Sequence, residues 1–400
     1  MLRFLTSGES HGQALVAILE GMPAGLAIDF EAVTAQLRRR QTGYGRGRRM
    51  QIESDRAQAL SGIRHGRTTG GPIALLIPNK DWENWQRTMA VESVPSADTP
   101  GVDRPIMTRP RPGHADLAGV VKYGHEDIRN VLERASARET AARVAVGAIA
   151  RQLLQAVGAQ IASHVVSIGS AALPDALAIS FEDAAAIGDA SALHCVDAAV
   201  EARMIAAIDA ARDAGDTMGG SFEVIVRGLP IGLGSHVQWD RKLDGRLAQA
   251  LMSIPAIKGV GIGRGPLVAA LPGSRIHDEI LPATDRARDV AVSRPTNNAG
   301  GLEGGITNGE DLRVTAYMKP IATLMKPLRS VDLTTMNESP AAIERSDVCA
   351  VSAAAVVGEA MVAIVLADAL TEKFGGDSID EMLDNFRSFK SRTAARFQAR

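Results

Sequence analysis

The sequence predicts a single α+β domain in which helices pack against antiparallel sheets. Segments with strand alternation and segments with helical spacing are mixed, without the regular strand–helix–strand order of a parallel sheet. No low-complexity linker divides the 400 residues. Hydrophobic residues make up 46% and charged residues 22%, proportions that are typical of a globular chain with a large buried core.

Four segments have the alternating or β-branched composition of strands. They are residues 2–6, 14–19, 222–226 and 312–318. The last one ends at Lys319-Pro320, because proline cannot donate a hydrogen bond to a strand ladder.

Apolar residues three and four apart predict helices in five other segments. These are residues 31–40, 134–158, 196–214, 240–252 and 347–370. A polar, basic segment that is also predicted to be helical follows. We therefore expect one domain over residues 1–376 and a helical tail over residues 377–400.

The apolar segment 348–370 is long enough to raise the question of a membrane span. Glu359 lies in its middle and Asp368 near its end. A carboxylate at the centre of a bilayer is costly, so the segment is predicted to be a buried core helix.

Charge and cysteine content exclude several classes of protein. The formal net charge is −2, without the basic excess of a typical nucleic-acid-binding protein. Cys195 and Cys349 lack metal-ligand spacing and allow at most one disulfide, which favours a reducing cytoplasm. Residues 1–10 have no features of a signal peptide. We expect no metal, no nucleic acid and no membrane.

Two glycine- or proline-shaped loops carry histidines. Gly8 and Gly12 flank Ser10 and His11 and expose them after the first strand, although a lone histidine is most often structural. The prolines of Arg109-Pro110-Arg111-Pro112-Gly113-His114-Ala115-Asp116 restrict that loop and preorganise its charged groups. Asp116 either orients His114 or caps a turn.

Arginines cluster between residues 38 and 49, with Gly43-Tyr44-Gly45 among them. The cluster consists of Arg38, Arg39, Arg40, Arg46, Arg48 and Arg49. It is interpreted as a solvated face, a nucleic-acid patch, or a hinged loop whose guanidinium groups bind an anion. The near-neutral total charge favours the anion-binding loop.

Four further segments have both a structural and a functional interpretation. Ser136, near the start of the helix 134–158, is an N-cap or leaves backbone N–H groups for a phosphate. Asp347 is an N-cap or a positioned base. The glycine-rich residues 294–309 and the segment 319–323 allow close approach to a flat or anionic ligand.

Taken together, these motifs resemble the chorismate synthase family from residue 1 to about residue 376. The resemblance rests on Gly8-Glu9-Ser10-His11-Gly12, Arg109 to Asp116, Glu133 to Thr140, Gly300 to Gly305, Lys319-Pro320-Ile321, and Arg345-Ser346-Asp347 through Glu359. It implies a β-α-β sandwich with a helical layer between antiparallel sheets.

The resemblance also implies an activity and its partners. The reaction is the anti-1,4-elimination of phosphate and a ring proton from 5-enolpyruvylshikimate 3-phosphate. It requires reduced FMN without net redox change, because the cofactor donates electron density and recovers it. The resemblance also implies a cytoplasmic homotetramer, with reducing equivalents from NAD(P)H supplied through a separate reductase.

The roles of individual residues follow from the same resemblance. His11 would protonate the departing phosphate, and His114 would protonate the reduced flavin or hold the proton on it near N1. Asp347 would lie by flavin N5, which takes the ring proton, and would relay that proton onward. Ser10 and Ser136 would assist that relay. Substrate would be bound by Arg40, Arg46, Arg49, Arg109 and Arg138. Flavin would be bound by Arg134, Ala135, Ser136, Pro255, Ala256, Gly304, Lys319, Pro320, Ile321, Ala322, Thr323 and Arg345.

Two competing hypotheses use the same residues. A flavin-free phosphate lyase or phosphotransferase predicts activity without FMN. A nucleic-acid-binding protein predicts affinity that falls steeply with salt.

Overall fold

The structure is a computed structural model that describes residues 1–47, 54–92, 105–188, 190–283, 290–344 and 346–397. The predicted α+β class is confirmed, because antiparallel sheets and helices share one hydrophobic core. The strands are β1 (Arg3–Ser7), β2 (Ala14–Glu20), β3 (Gln58–Ala59), β4 (Ile63–Arg64), β5 (Arg67–Thr68), β6 (Ile73–Pro78), β7 (Gln160–Ile168), β8 (Ala171–Ala172), β9 (Gly220–Arg227), β10 (Ile257–Ile262), β11 (Leu281–Pro282), β12 (Val292–Ser293), β13 (Leu302–Glu303), β14 (Ile306–Thr307), β15 (Leu312–Met318), β16 (Arg329–Val331) and β17 (Glu338–Pro340). The α-helices are α1 (Phe30–Gln41), α2 (Asp116–Tyr123), α3 (Arg129–Leu132), α4 (Thr140–Ala156), α5 (Phe181–Ala185), α6 (Ala198–Asp213), α7 (Leu243–Met252), α8 (Val351–Phe374) and α9 (Ile379–Phe397).

Two sheets carry most of the pairing. The first has the order β1-β2-β6-β3 and the second the order β10-β15-β9-β7-β8, and every adjacent pair is antiparallel. The four predicted strands all form, and β15 spans the predicted residues 312–318. Alternation along β6 buries Ile73, Leu75 and Ile77 on one face.

Helices α4 and α8 pack against each other, α4 also contacts β2 and β6, and α8 contacts β7 and β9. The crossing depends on Gly147, since a Cβ there would lie 2.3 Å from the Cβ of Ala360. The two helices approach so closely because neither has a bulky side chain at this point.

The start of α4 differs from the prediction. The helix begins at Thr140 rather than at residue 134, and a 3₁₀ turn (Ala137–Glu139) precedes it. The Ser136 hydroxyl accepts a hydrogen bond from the Arg138 N–H and caps this turn.

The start of α8 also differs. This helix begins at Val351, and Ala350 holds its cap position without a side-chain cap. Asp347 is therefore not the N-cap that one interpretation of the sequence expected.

Helix α8 is a core helix. Its length and composition would suit a membrane span, but 89% of its most apolar window is buried inside the protein. Glu359 is buried at its centre and accepts hydrogen bonds from Arg39, Arg151 and Ser163. Burial raises the pKa of Glu359, but these partners outweigh it and hold the pKa well below its usual value.

The C-terminal segment is helical but amphipathic rather than uniformly polar. Ile379, Met382 and Phe386 of α9 are buried in the common core. Main-chain bonds from Ala24 N to Asp377 O (2.8 Å) and from Ile379 N to Ala24 O (2.8 Å) fix its start.

Candidate active site

A cavity of about 1000 Å³ lies between the loop after β1, the start of α4, the loop after β15 and the start of α8. One side is cationic and carries two histidines, and the other is formed by small apolar residues. Within the described ranges, no group of three or more His, Cys, Asp or Glu side chains has the arrangement of a metal site.

Arg40, Arg46 and Arg138, the arginine cluster, lie at one end of the cavity. Arg40 is buried and donates to the Thr140 hydroxyl (2.9 Å) and the Ala137 carbonyl (2.7 Å). Arg138 donates to both oxygens of Asp55 at 2.7 Å. Arg40 Nη1 also lies 3.8 Å from Asp55 Oδ2, so one buried carboxylate serves two guanidinium groups.

The cluster keeps hydrogen-bonding capacity for an anion. Among the described residues, Nη1 of Arg40 and Nε of Arg46 are buried without a hydrogen-bond partner. Burial, together with the charge of Arg138, lowers the pKa of Arg40 to about 9 although Asp55 opposes the shift. An anionic ligand would offset the cost of holding these charges together.

His11 is held on several sides. Its ring Nδ1 lies 2.9 and 3.0 Å from the two oxygens of Glu133, and its main-chain N–H donates to Glu133 Oε2 at 2.8 Å. Its ring stacks on Trp85 with centroids 3.8 Å apart. Gly8 makes the preceding turn at φ 107°, where a Cβ would lie 2.4 Å from the Ala14 carbonyl. The predicted need for glycine holds at this position.

His114 is oriented by Asp116, as one of the two interpretations of that loop predicted. His114 Nδ1 lies 2.5 Å from Asp116 Oδ1, and Arg111 Nε donates to Asp116 Oδ2 at 2.8 Å. Burial raises the pKa of the Asp116 carboxyl, but these hydrogen bonds outweigh it and leave the pKa well below its usual value. The carboxylate fixes the ring of His114 at the cavity wall.

Asp347 lines the cavity and is bound by the arginine loop. Its Oδ2 lies 3.0 Å from Arg46 Nη1, and its Oδ1 accepts from the main-chain N–H of Gly47 at 2.6 Å. A predicted substrate ligand and a predicted proton relay are therefore paired with each other in this structure.

Two predicted relay hydroxyls meet at the wall of the same cavity. Ser136 Oγ donates to Ser10 Oγ at 3.1 Å, and the Ser10 N–H donates to the Glu133 carbonyl at 3.0 Å. Nothing in the local sequence around either serine indicated that they lie next to each other.

The opposite wall is apolar. It is formed by Ile254, Ala350, Ala353, Ala354 and Val357. The three alanines among them leave room for a flat ring system to lie against the start of α8.

Most of the predicted site residues reach this cavity. Those that line it are Ser10, His11, Arg40, Arg46, His114, Ala135, Ser136, Arg138, Pro255, Ala256, Lys319, Ile321, Ala322, Thr323 and Asp347. Arg49 and Arg345 lie outside the described residues.

Four predicted residues are placed elsewhere. Arg109 is exposed, and the neighbouring Arg111 lines the cavity instead. Arg134 donates to the carbonyls of Gly8 and Thr6 and so fixes the turn before His11. Gly304 lies at the tip of the β13–β14 hairpin, and Pro320 is not among the residues lining the cavity.

Sequence reasoning assigned no role to several residues that shape the site. Glu133, Asp55, Asp81 and Trp85 contact predicted residues from distant positions in the chain. Of these four residues, only Glu133 could have been found from the sequence, because it is the first residue of one of the family motifs.

Comparisons with known proteins agree on one family. The family model described as chorismate synthase matches residues 2–371. A curated chorismate synthase of Symbiobacterium thermophilum is 55% identical over 99% of this chain and 100% of its own length. Another, from Desulforamulus reducens, is 59% identical over 96% of both chains.

A solved structure gives the same result at the level of the fold. It is titled as the crystal structure of a chorismate synthase, and it superposes with a TM-score of 0.78 at 42% identity over 98% of both chains. The chain therefore belongs to the chorismate synthase family, the carbon–oxygen lyases of the shikimate pathway that form chorismate from 5-enolpyruvylshikimate 3-phosphate.

Proposed function

We propose that this cavity binds 5-enolpyruvylshikimate 3-phosphate beside reduced FMN and eliminates phosphate and a ring proton in an anti-1,4 sense. The observation that carries the proposal is the meeting of the arginine cluster, His11 and His114 in one cavity of about 1000 Å³. A substrate with three anionic groups and a flat cofactor need this combination of a cationic end and an apolar wall.

The arginine cluster binds the substrate anions. Nη1 of Arg40 and Nε of Arg46 supply donors to phosphate and carboxylate oxygens. Each charge-assisted hydrogen bond contributes about 1.5–3 kcal/mol. Arg46 can bind the substrate through Nε while its Nη1, 3.0 Å from Asp347 Oδ2, keeps that carboxylate at the cavity as the group that relays the ring proton.

The residues of the apolar wall fit a flavin. Ala353, Ala354 and Val357 present a smooth surface from α8, and Lys319 to Thr323 follow β15 along the same cavity. When bound, reduced FMN would supply electron density to the substrate and recover it, so that no net redox change occurs.

His11 and His114 divide the proton chemistry between them. His11 donates a proton to the departing phosphate oxygen, which the arginine cluster also stabilises. His114, held by Asp116 at 2.5 Å, keeps a proton next to the cofactor. Ser10 and Ser136, 3.1 Å apart, form a short hydroxyl path for the proton that leaves the ring.

We also propose the wider setting of the reaction. The contacts of α4 with the first sheet and of α8 with the second support a β-α-β sandwich, with residues 1–376 as the catalytic domain and 377–400 as a tail. We infer a homotetramer, as in the family, with reduced flavin supplied from NAD(P)H by a separate reductase. Cys195 and Cys349 are free, which suits the cytoplasm.

The test is phosphate release from 5-enolpyruvylshikimate 3-phosphate under strict anaerobiosis, with FMN either reduced by dithionite or left oxidised. We expect phosphate and the absorbance of chorismate to appear together, and only with reduced FMN. His11→Ala should lose at least about tenfold in turnover, whereas the matched variant of the exposed His236, His236→Ala, should not.

The other outcomes separate the competing hypotheses. Phosphate release without flavin would identify a flavin-free lyase. A folded protein that releases no phosphate in either condition would instead be tested for salt-dependent nucleic-acid binding.

A further inference from the structure

We propose that Glu133 is a positioning residue that fixes both the orientation and the tautomer of His11. The proposal rests on the proposed role of His11 as the proton donor to the leaving phosphate. Its starting point is the contact of one buried carboxylate with two different donors of the same histidine.

The geometry leaves the ring little freedom. Glu133 is 1% exposed and accepts from the His11 main-chain N–H through Oε2, while Nδ1 of the ring lies 2.9 Å from Oε1. A carboxylate only accepts hydrogen bonds, so Nδ1 must carry a proton. The Nε2 edge is then the one that exchanges a proton with the substrate.

The surroundings also hold the ring in place. Trp85 stacks on the imidazole, and Asp81 Oδ2 lies 3.9 Å from Nε2. Arg129 Nη1 lies 3.8 Å from Glu133 Oε1 and forms an ion pair with it. The proton leaves Nε2 for the phosphate oxygen as the carbon–oxygen bond breaks, and His11 remains neutral with its Nδ1–H on Glu133.

The variant Glu133→Gln separates this role from simple packing. The amide has nearly the same shape, but it offers one oxygen and one NH₂ group. The main-chain N–H of His11 cannot become an acceptor, so the amide oxygen must remain there. The NH₂ group then takes the place of Oε1, 2.9 Å from Nδ1, where two N–H donors would face each other unless Nδ1 becomes an acceptor. If Nδ1 stayed protonated, the single amide oxygen at the Oε2 position, 3.0 Å away, would have to accept from both N–H groups of His11, so the opposite tautomer is favoured.

Two measurements on the full-length protein test the proposal. The first is ¹⁵N NMR of histidine-labelled enzyme, with the His11 signals assigned by difference from His11→Ala. Nδ1 of His11 should be protonated in the wild type and unprotonated in Glu133→Gln. In the anaerobic assay, kcat of Glu133→Gln should fall by about 10²–10⁴-fold, the usual contribution of general acid–base catalysis, whose upper end is reached when an orienting carboxylate becomes an amide. KM for the substrate should stay within about threefold, because the arginine cluster is intact.

Glu139→Gln is the matched control. Glu139 is also buried six residues away, but it accepts from Thr6 and Arg143 and contacts no histidine in the described structure. Its amide variant should keep the wild-type tautomer of His11 and wild-type kcat.

The outcomes distinguish this proposal from the proposed function. A bare Nδ1 in the wild-type enzyme would overturn the role of Glu133 regardless of the kinetics, and this measurement does not depend on the folding of Glu133→Gln. A reversed tautomer with unchanged kcat would show that Glu133 orients His11 but that His11 is not the proton donor. A rise in KM with unchanged kcat would assign Glu133 to substrate binding instead.

Discussion

Two buried clusters in the described structure each combine an arginine, a histidine and a carboxylate, but their surroundings differ. The cavity cluster consists of Arg111, His114 and Asp116, and the sheet cluster consists of His164, Glu223 and Arg313. In each, a fully buried carboxylate accepts from a histidine and an arginine.

The difference lies in what the histidine meets on its other side. His114 lines the cavity, with 21% of its side chain exposed, whereas His164 is 0% exposed between β7 and β9. Arg313 also donates hydrogen bonds to the carbonyls of Ala176 and Leu177. A His–carboxylate–Arg cluster therefore indicates chemistry only where the histidine reaches a ligand space, and otherwise it holds strands together.

The largest effect should come from breaking the sheet cluster. Glu223→Ala would leave Arg313 buried without its carboxylate, which typically costs about 3–5 kcal/mol of folding free energy. Urea denaturation followed by circular dichroism measures this loss. A loss below about 1 kcal/mol would mean that the sheet does not depend on the cluster.

The second effect distinguishes the two histidines directly. His114→Ala should lower turnover at least about tenfold with little change in stability. His164→Ala should cost about 1–3 kcal/mol, because Glu223 loses a hydrogen-bond partner in the core. Turnover per folded molecule is measured alongside urea denaturation, and it should fall only for His114→Ala. Equal turnover in both variants would show that the two histidines do not differ in function.

The smallest effect concerns acid stability, where the two clusters should behave alike. For Glu223 as for Asp116, burial raises the carboxyl pKa, but the hydrogen bonds of the histidine and the arginine outweigh it and lower the pKa overall. The unfolded chain then binds more protons than the folded one, so the stabilisation is complete at neutral pH and is lost as pH falls from about 5.

Urea denaturation at pH 7 and pH 4 measures this dependence. The free energy of unfolding should fall with acid more steeply in the wild type than in Asp116→Asn or Glu223→Gln. Parallel pH profiles would show that neither carboxylate contributes.

The sequence was sufficient for the local part of the site. His114 and Asp116 lie two residues apart in a proline-restricted loop, so their contact was one of two predicted alternatives. The contact of His11 with Glu133 joins residues 122 positions apart, and no periodicity or spacing rule reaches that far. Only the packing of β1 against the segment before α4 brings them together.

The fold shows the same division. Strand alternation identified β15 residue by residue, whereas the helix α4 was predicted to begin six residues too early. Because alanine and arginine have high helix propensity, the sequence did not reveal the 3₁₀ turn that directs Ser136 and Arg138 towards the cavity. Asp347 was ambiguous because a good helix cap and a positioned carboxylate have the same residue type.

The close crossing of α4 and α8 has a consequence for how this protein tolerates change. Both helices begin at the cavity, and their separation is set where Gly147 meets Ala360. A methyl group at Gly147 would force the two walls apart although it touches no ligand. Random mutagenesis screened for clones that fail to grow without aromatic amino acids should therefore recover inactive alleles at residue 147, deep in the interior, as readily as at the histidines.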